Sequence, residues 1–254
     1  MTHIFGIHSV KAWLKSSSPA TGDFILVDAK RQDRRLRELR SDAEKSRVGV
    51  RLVDKKELDR IVRGAVHQGV VVETKDSTVL KTYDENALQD LLDSIDSRDE
   101  LPFLLILDGV TDPHNLGACL RSAEAAGVDA VIVPKDRSAG ITPVVRKVAS
   151  GAVETLPFVK VTNLARTLKA LADRGIWIVG AAGEAVDTLH GVDLKGPIAI
   201  VMGAEGGGMR RLTKENCSQL IKIPMAGEVS SLNVSVASGV VLFEAVRQRV
   251  KYTP

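Results

Sequence analysis

The chain has 254 residues, of which 44% are hydrophobic, 26% charged and 4% aromatic, as in a soluble globular protein of one large or two smaller domains. No apolar stretch is long enough to span a membrane, and the first residues do not form a signal peptide, so we expect a cytoplasmic protein. Cys119 and Cys217 have neither metal-ligand spacing nor that of a disulfide framework, so we expect no metal site.

The net charge of +3 is unevenly distributed along the chain. Residues 1–75 carry +6, residues 76–100 carry −6, and residues 101–254 carry +3. This distribution predicts a basic N-terminal domain (1–75), an acidic linker (76–100) and a C-terminal domain (101–254). It also indicates a polyanionic partner for the N-terminal domain.

The N-terminal domain shows alternating helical and strand patterns. Apolar periodicity predicts these elements in chain order: a helix at 6–14, a strand at 24–27, a basic loop and helix at 30–40, a strand at 50–53, a helix at 54–62 and a strand at 69–73. The third helix begins with the capping-box spacing of Asp54 and Glu57. We therefore expect a compact α/β unit.

Arginines are concentrated where the second predicted helix begins, at Arg31, Arg34, Arg35, Arg37 and Arg40. They form either a solvated helix face paired with Asp33 and Glu38, or a phosphate-binding surface, since guanidinium groups match phosphate geometry. His8, His67 and Gln68 stand at the ends of predicted elements. They either contact RNA bases and 2′-hydroxyls or cap turns.

In the linker, residues 83–95 carry apolar side chains at helical spacing with an acidic outer face. The C-terminal domain then alternates apolar runs with helical patterns. Its predicted strands lie at 103–107, 128–133, 158–161, 176–179, 198–202 and 220–224, and its helices at 116–126, from 142, at 163–172 and after 230. Residues 108–117 are expected to form a loop. The pattern predicts a mostly parallel sheet with helices on both faces.

Two of these strands end in glycine-bearing loops, at 203–208 and 225–229, and each loop is expected to be followed by a helix start. Ligands of α/β sheets bind at such places, because glycines let the backbone approach a ligand and helix starts offer unpaired N–H groups. Neither a P-loop nor a G-x-G-x-x-G after the first strand is present, which disfavours a dinucleotide oxidoreductase.

Three motifs in this domain resemble those of the SpoU/TrmH class of RNA ribose 2′-O-methyltransferases. They are DPHNLGACLRSA at 112–123, MGAEG at 202–206, and IPM at 223–225 with SLNVS at 231–235, in the order found in that class. The N-terminal domain resembles the ribosomal-protein-L30-like RNA-binding domain of class members that methylate guanosine in 23S rRNA. The resemblance covers the whole chain.

The resemblance implies a SPOUT-type α/β domain whose C-terminal part is tied in a deep trefoil knot, joined to a small L30-like substrate-binding domain. It implies a homodimer with S-adenosyl-L-methionine as methyl donor. The implied reaction methylates the ribose 2′-hydroxyl of a guanosine in 23S rRNA, near the peptidyl-transferase region. A tRNA or other rRNA target and a non-catalytic RNA-binding protein are the alternatives.

The resemblance also assigns roles to residues of the three motifs. Gly203, Ile223 and Leu232 match the cofactor contacts of the class, and its polar catalytic cluster is matched by Asn115, Arg121, Glu205, Ser231 and Asn233. Methyl transfer from a sulfonium needs positioning of the 2′-oxygen and removal of its proton. Because arginine almost never deprotonates, Arg121 is expected to orient the nucleotide, with Glu205 holding Arg121 and Asn115. Whether Arg121 and Asn115 serve their own subunit's site or a partner's stays open.

Overall fold

The structure is a computed structural model that describes residues 2–16, 22–31, 33–62, 67–74 and 82–250. The chain divides into two units. The first comprises Met1–Lys81 with Ser150–Thr155, and the second comprises Thr82–Ala149 with Leu156–Pro254. Each unit has its own sheet and its own hydrophobic core.

The first unit contains a four-stranded sheet with the order β1-β4-β2-β3. Strand β4 is antiparallel to β1 and β2, and β2 is parallel to β3. Its elements before residue 82 are β1 (Thr2–Phe5), α1 (Ile7–Ser16), β2 (Phe24–Asp28), α2 (Arg34–Lys45), β3 (Gly49–Val53), α3 (Lys55–Ile61) and β4 (Val70–Thr74). Strand β1 was not expected from the sequence, because its four residues are too few to show a period.

The core of the first unit follows from strand alternation, because successive side chains point to opposite faces of a sheet. On one face, Ile25 and Val27 pack with residues of α1 and α2. On the other, Leu26 packs against Leu58 of α3. The compact α/β unit predicted here is confirmed. Asp54 is the N-cap of α3, but its side chain makes no capping hydrogen bond, unlike the expected capping box.

The second unit contains an eight-stranded sheet in which every strand pair is parallel, with the order β10-β12-β9-β11-β6-β7-β8-β5. The strands are β5 (Thr82–Tyr83), β6 (Phe103–Asp108), β7 (Ala130–Pro134), β8 (Phe158–Val161), β9 (Trp177–Ala181), β10 (Asp187–Thr188), β11 (Ile198–Gly203) and β12 (Gln219–Lys222). All six residues of β6 are buried, as a strand covered on both faces requires. The predicted parallel sheet is confirmed.

The helices from residue 82 onward are α4 (Glu85–Ser97), α5 (Pro113–Ala125), α6 (Pro143–Ala149), α7 (Ala152–Thr155), α8 (Leu164–Asp173), α9 (Arg211–Glu215) and α10 (Val234–Arg249), of which α7 belongs to the first unit. A 3-10 turn covers Leu189–Gly191. The helix expected in the linker is α4. Its buried Leu88, Leu92 and Ile95 lie in the core of the second unit, so this helix is part of that unit rather than a free connector.

Helix α5 begins earlier than its apolar spacing predicts. The helix was expected to start at residue 116, after a loop, but it starts at Pro113. The Asp112 side chain accepts hydrogen bonds from the backbone N–H groups of His114 (3.1 Å) and Asn115 (3.3 Å). Pro113 fits the first helical position, where an N–H would have no partner in the helix. The first motif therefore stands on a capped helix start.

Because the strands of the large sheet are parallel, the loops after β6, β7, β8, β9, β11 and β12 all emerge at one edge, called here the carboxyl edge. Ligands of open parallel sheets bind outside this edge. Within the described residues, no helix combines the length and hydrophobicity that crossing a bilayer requires.

Candidate active site

A cavity of about 510 Å³ lies at the carboxyl edge of the large sheet. Residues that follow β9, β11 and β12 and the loop before α10 form its walls. The three residues predicted to contact a cofactor, Gly203, Ile223 and Leu232, all line it, as does Ser231. Its volume lies in the range of small-molecule and cofactor sites, about 300–1,000 Å³. The two glycine-bearing loops of the sequence therefore meet at one cavity.

The 203–208 loop folds back on itself directly after β11. The backbone N–H of Ala204 donates to the carbonyl oxygen of Gly208 (3.1 Å), and the N–H of Gly208 donates to that of Ala204 (2.9 Å). A Cβ atom on Gly203 would lie 2.2 Å from the carbonyl carbon of Gly208 and from the nitrogen of Met209. Only glycine fits at position 203, and the tight loop holds Glu205 beside the cavity.

Asn233 connects the three motifs through its side-chain amide. Its Nδ2 group donates to Oδ1 of Asn115 (2.9 Å) and to Oε1 of Glu205 (2.5 Å). Its Oδ1 atom accepts hydrogen bonds from the backbone N–H (2.9 Å) and the hydroxyl (2.6 Å) of Ser235, which makes Asn233 the N-cap of α10. Because Oδ1 faces a backbone N–H group and Nδ2 faces a carboxylate oxygen, only this orientation of the amide satisfies both partners.

Asn115 is buried and Glu205 is exposed at the cavity wall. Among the described residues, the Nδ2 group of Asn115 and the second carboxylate oxygen of Glu205 make no hydrogen bond, so they are available to a ligand. The Ser231 side chain likewise makes no hydrogen bond to any residue that the structure describes. Glu205, Ser231 and Asn233 thus line one cavity, and the hydrogen bond from Asn233 joins the buried Asn115 to them.

Arg121 lies apart from this group within the chain. It is exposed on α5 and, among the residues that the structure describes, its guanidinium makes no hydrogen bond or ion pair. The expected contact of Glu205 with Arg121 is absent inside one chain, and Glu205 reaches Asn115 only through Asn233. His114 is likewise exposed at the start of α5.

An ion pair that no sequence pattern indicated joins the buried carboxylate of Asp108 to the partly exposed Arg210, just after the 203–208 loop. Asp108, at the end of β6, is fully buried and accepts hydrogen bonds from the backbone N–H (2.8 Å) and the Nε group (2.6 Å) of Arg210. The sequence signal for such a group was a carboxylate at the end of an otherwise apolar strand. Because Asp108 and Arg210 are far apart in sequence, only the fold shows that they meet.

The two cysteines have no role in this site. Burial raises the pKa of Cys119 to about 11 and that of Cys217 to about 12, because the thiolate is poorly solvated in an apolar environment. Both are free, and Cys119 lies 3.6 Å from the hydroxyl of Ser238 in the packing of α5 against α10. Both act as small packing residues.

The basic surface of the first unit mixes paired and unpaired arginines. Arg31 donates to Asp33 (2.7 Å) and Arg34 to Glu38 (2.9 Å), as the interpretation of a solvated helix face predicts. The side chain of Arg35 is exposed and makes no hydrogen bond or ion pair within the described ranges. The cluster therefore keeps cationic groups for an anionic partner.

The other RNA-binding candidates of this unit make internal contacts. His67 is buried, with Nε2 3.0 Å from Oδ1 of Asp59 and Nδ1 accepting from the N–H of Gly69 (3.0 Å), so both ring nitrogens are used. Gln68 is exposed, and its side-chain oxygen accepts from the N–H of Ile7 at the start of α1 (3.0 Å). The side chain of His8 lies outside the described residues.

Comparison with known families and proteins agrees with this architecture. Residues 102–243 match the SpoU rRNA Methylase family, and residues 3–80 match the family described as RNA 2′-O ribose methyltransferase substrate binding. The chain is 55% identical over 246 residues to the 23S rRNA (guanosine-2′-O-)-methyltransferase RlmB of Yersinia pestis, covering 97% of each chain. The RlmB of Escherichia coli K12 is also 55% identical, over 97% of this chain and 98% of its own length.

A solved structure shares the fold at lower identity. The SpoU methyltransferase AviRb from Streptomyces viridochromogenes, in complex with the cofactor AdoMet, superposes with a TM-score of 0.69 at 22% identity, covering 98% of this chain and 90% of that chain. The family match covers more than half of the chain, and the curated relatives are similar along nearly its whole length. The chain therefore belongs to the SpoU rRNA Methylase family.

Proposed function

We propose that this protein transfers a methyl group from S-adenosyl-L-methionine to the ribose 2′-hydroxyl of a guanosine in 23S rRNA. The observation that carries the proposal is the cluster of Asn115, Glu205 and Asn233 beside a glycine-walled cavity, in a chain 55% identical to curated enzymes of that activity. The high identity extends over both units, including the one that selects the RNA in the proposal.

The residues present fit a bound S-adenosylmethionine. The cavity has the volume of a cofactor site, and its walls combine small and apolar side chains with the backbone groups of the 203–208 loop. Gly203, Ile223 and Leu232 would contact the cofactor, and its sulfonium would supply the methyl group. A Cβ atom at Gly203 would meet the backbone of Gly208 and Met209, so the glycine lets the 203–208 loop pack closely and form this wall.

The polar residues would position the ribose and handle its proton. The free oxygen of Glu205 can accept a hydrogen bond from a hydroxyl, and the Nδ2 group of Asn115 can donate one. Asn233 fixes both partners through its amide, so the groups are aligned before the substrate arrives. Ser231 lies at the same wall and completes the cluster. The proposal needs no metal ion.

Arg121 would bind a phosphate of the target nucleotide and orient its ribose, since a guanidinium stays protonated and matches phosphate geometry. Its exposed position on α5, apart from Glu205 of its own chain, favours action at the site of a partner subunit. In the N-terminal unit, Arg31, Arg34 and Arg35 supply positive charge for rRNA. The peptidyl-transferase region as target and the cytoplasm as location belong to the proposal.

The homodimer in this proposal would form through α10. Val236, Val240 and Phe243 recur at helical spacing on one side of α10 and are 53%, 38% and 50% exposed. Contiguous exposed apolar side chains mark interaction surfaces. Helix α10 packs on α5, the helix that carries Arg121, so a dimer through this stripe places Arg121 close to the subunit interface.

The substitution Phe243→Glu is expected to convert the dimer to monomers, because it replaces the largest apolar side chain of the stripe with a charged one. Sedimentation velocity measures the oligomeric state directly. Val186→Glu is the matched control, since Val186 is 89% exposed and lies outside α10. A Phe243→Glu protein that sediments as the wild type would exclude this interface.

The function is tested by mapping ribose methylation in rRNA and tRNA from cells that lack the protein and cells that express it. We expect a single guanosine of 23S rRNA to lose its methyl group without the protein and to regain it with the wild type. Arg121→Ala is expected to restore no methylation while S-adenosylmethionine binding, measured by calorimetry, is retained. A lost tRNA methylation would overturn the proposed substrate, and the absence of any lost methylation would overturn the proposed activity.

A further inference from the structure

A second cavity of about 550 Å³ lies at the carboxyl edge of the large sheet, outside the site described above. It is called here the basic groove. The residues that follow β7 and β8 and the start of α9 form its walls, among them Pro134, Arg137, Thr162, Asn163, Arg210 and Arg211. None of them lines the active-site cavity.

The basic groove and the active-site cavity open at the same edge because all strand pairs of this sheet are parallel. The cavity lies over β12, β9 and β11, and the groove lies over β7 and β8. Only β6 separates β11 from β7. Two strand spacings correspond to about 10 Å, a distance that a polymer chain held at the cavity can span.

The groove carries an excess of positive charge. Arg137 lines the groove, and Lys135 lies on the same loop just outside its lining. Both are exposed, and within the described ranges neither forms an ion pair with a carboxylate. Arg211 adds a third exposed cation, paired with Glu215, and Arg210 is held by Asp108. The only carboxylate among the residues that line the groove is that of Asp136. This excess of guanidinium and ammonium groups fits phosphates.

The loop that presents Lys135 and Arg137 is held by backbone and side-chain hydrogen bonds. The N–H of Lys135 donates to the carbonyl oxygen of Val161 (2.8 Å), and the N–H of Ala139 donates to that of Val110 (2.8 Å). The hydroxyl of Ser138 donates to the carbonyl oxygen of Pro134 (2.5 Å). The two cations are thus placed on a preorganised loop, which lowers the entropic cost of binding.

We propose that the basic groove binds the phosphate backbone of the RNA beside the target nucleotide, with Lys135 and Arg137 as its main contacts. This inference rests on the proposed function and adds to it a second RNA-binding surface, in the catalytic unit itself. The N-terminal unit then selects the rRNA, and the groove aligns the strand that leads into the active site.

The double variant Lys135→Ala/Arg137→Ala tests the groove by filter binding of a 23S rRNA fragment over a range of salt concentrations. Affinity is expected to fall at least about tenfold. The slope of log K against log salt is negative, and its magnitude is expected to fall by about 1.4, because binding releases fewer counterions when two contacts to single-stranded RNA are lost. Affinity for S-adenosylmethionine and the melting temperature are expected to stay at wild-type values.

The matched control is Lys169→Ala/Lys195→Ala, which removes the same charge from exposed positions on α8 and on the loop before β11. Equal losses in both double variants, or an unchanged slope in the groove variant, would overturn the inference. So would an effect on binding to pre-ribosomal particles but not to naked rRNA, which would indicate an acidic protein partner. Wild-type protein that binds rRNA but methylates none would refute the proposed function alone, since the binding comparison does not depend on catalysis.

Discussion

Replacing Gly203 with alanine is expected to abolish S-adenosylmethionine binding and to lower the free energy of unfolding by about 3 kcal/mol. The new Cβ atom would lie 2.2 Å from backbone atoms of Gly208 and Met209, and no side-chain rotation relieves a clash with backbone. The 203–208 loop would have to move, and Glu205 with it. Calorimetric titration measures cofactor binding, and thermal unfolding should show a melting temperature lower by roughly 10 °C.

Gly207→Ala is the matched control in the same loop. No atom lies within 4 Å of a Cβ built at Gly207, and its backbone is not in the left-handed region, unlike that of Gly206 or Gly208. This variant is therefore expected to melt and to bind the cofactor like the wild type. Wild-type behaviour of Gly203→Ala would show that the loop does not need the close approach seen here.

Asn233→Asp is expected to lower kcat by about a hundredfold or more, although it changes only an amide to a carboxylate. The aspartate loses the two hydrogen bonds that Nδ2 donates to Asn115 and Glu205, and it places an anionic oxygen against their acceptor oxygens. The alignment of the cluster is then lost. Aspartate remains a good N-cap, so α10 should stay folded. Single-turnover methylation at saturating rRNA and cofactor measures the effect.

Ser235→Ala separates this effect from a change in the helix cap. It removes the hydroxyl that donates to Oδ1 of Asn233 but leaves the bonds of Nδ2 and the backbone N–H of residue 235 in place. A much smaller loss of activity is expected. If Asn233→Asp retained most of its activity, or if Ser235→Ala lost as much, the bridging role of the Asn233 amide would be refuted.

The fold class follows from the sequence because strand and helix patterns are local. The fully apolar run of β6 predicts a strand covered on both faces, and the later apolar runs repeat it. Strand order is not local, and the trefoil knot implied by the resemblance stays a prediction. Periodicity does not indicate that β11 lies between β9 and β6, or which path the chain takes from one strand to the next.

For the site, likewise, the sequence shows which residues are present but not which of them are in contact. The three motifs and the residue types of Asn115, Glu205 and Asn233 are present in the sequence, together with the resemblance that assigns their roles. The geometry of these residues cannot be read from the sequence. Asn115 and Asn233 are 118 residues apart, and the sequence did not indicate that a single amide joins them and Glu205.

The sequence by itself determined the α/β class, the glycine-bearing loops and the motifs that identify the family, because these depend on neighbouring residues. The tertiary structure decided which distant groups meet. It paired Asp108 with Arg210, buried His67 between Asp59 and Gly69, and separated Arg121 from Glu205 within the chain. Such contacts depend on the order and direction of strands, since a parallel sheet gathers the ends of strands that lie far apart in sequence.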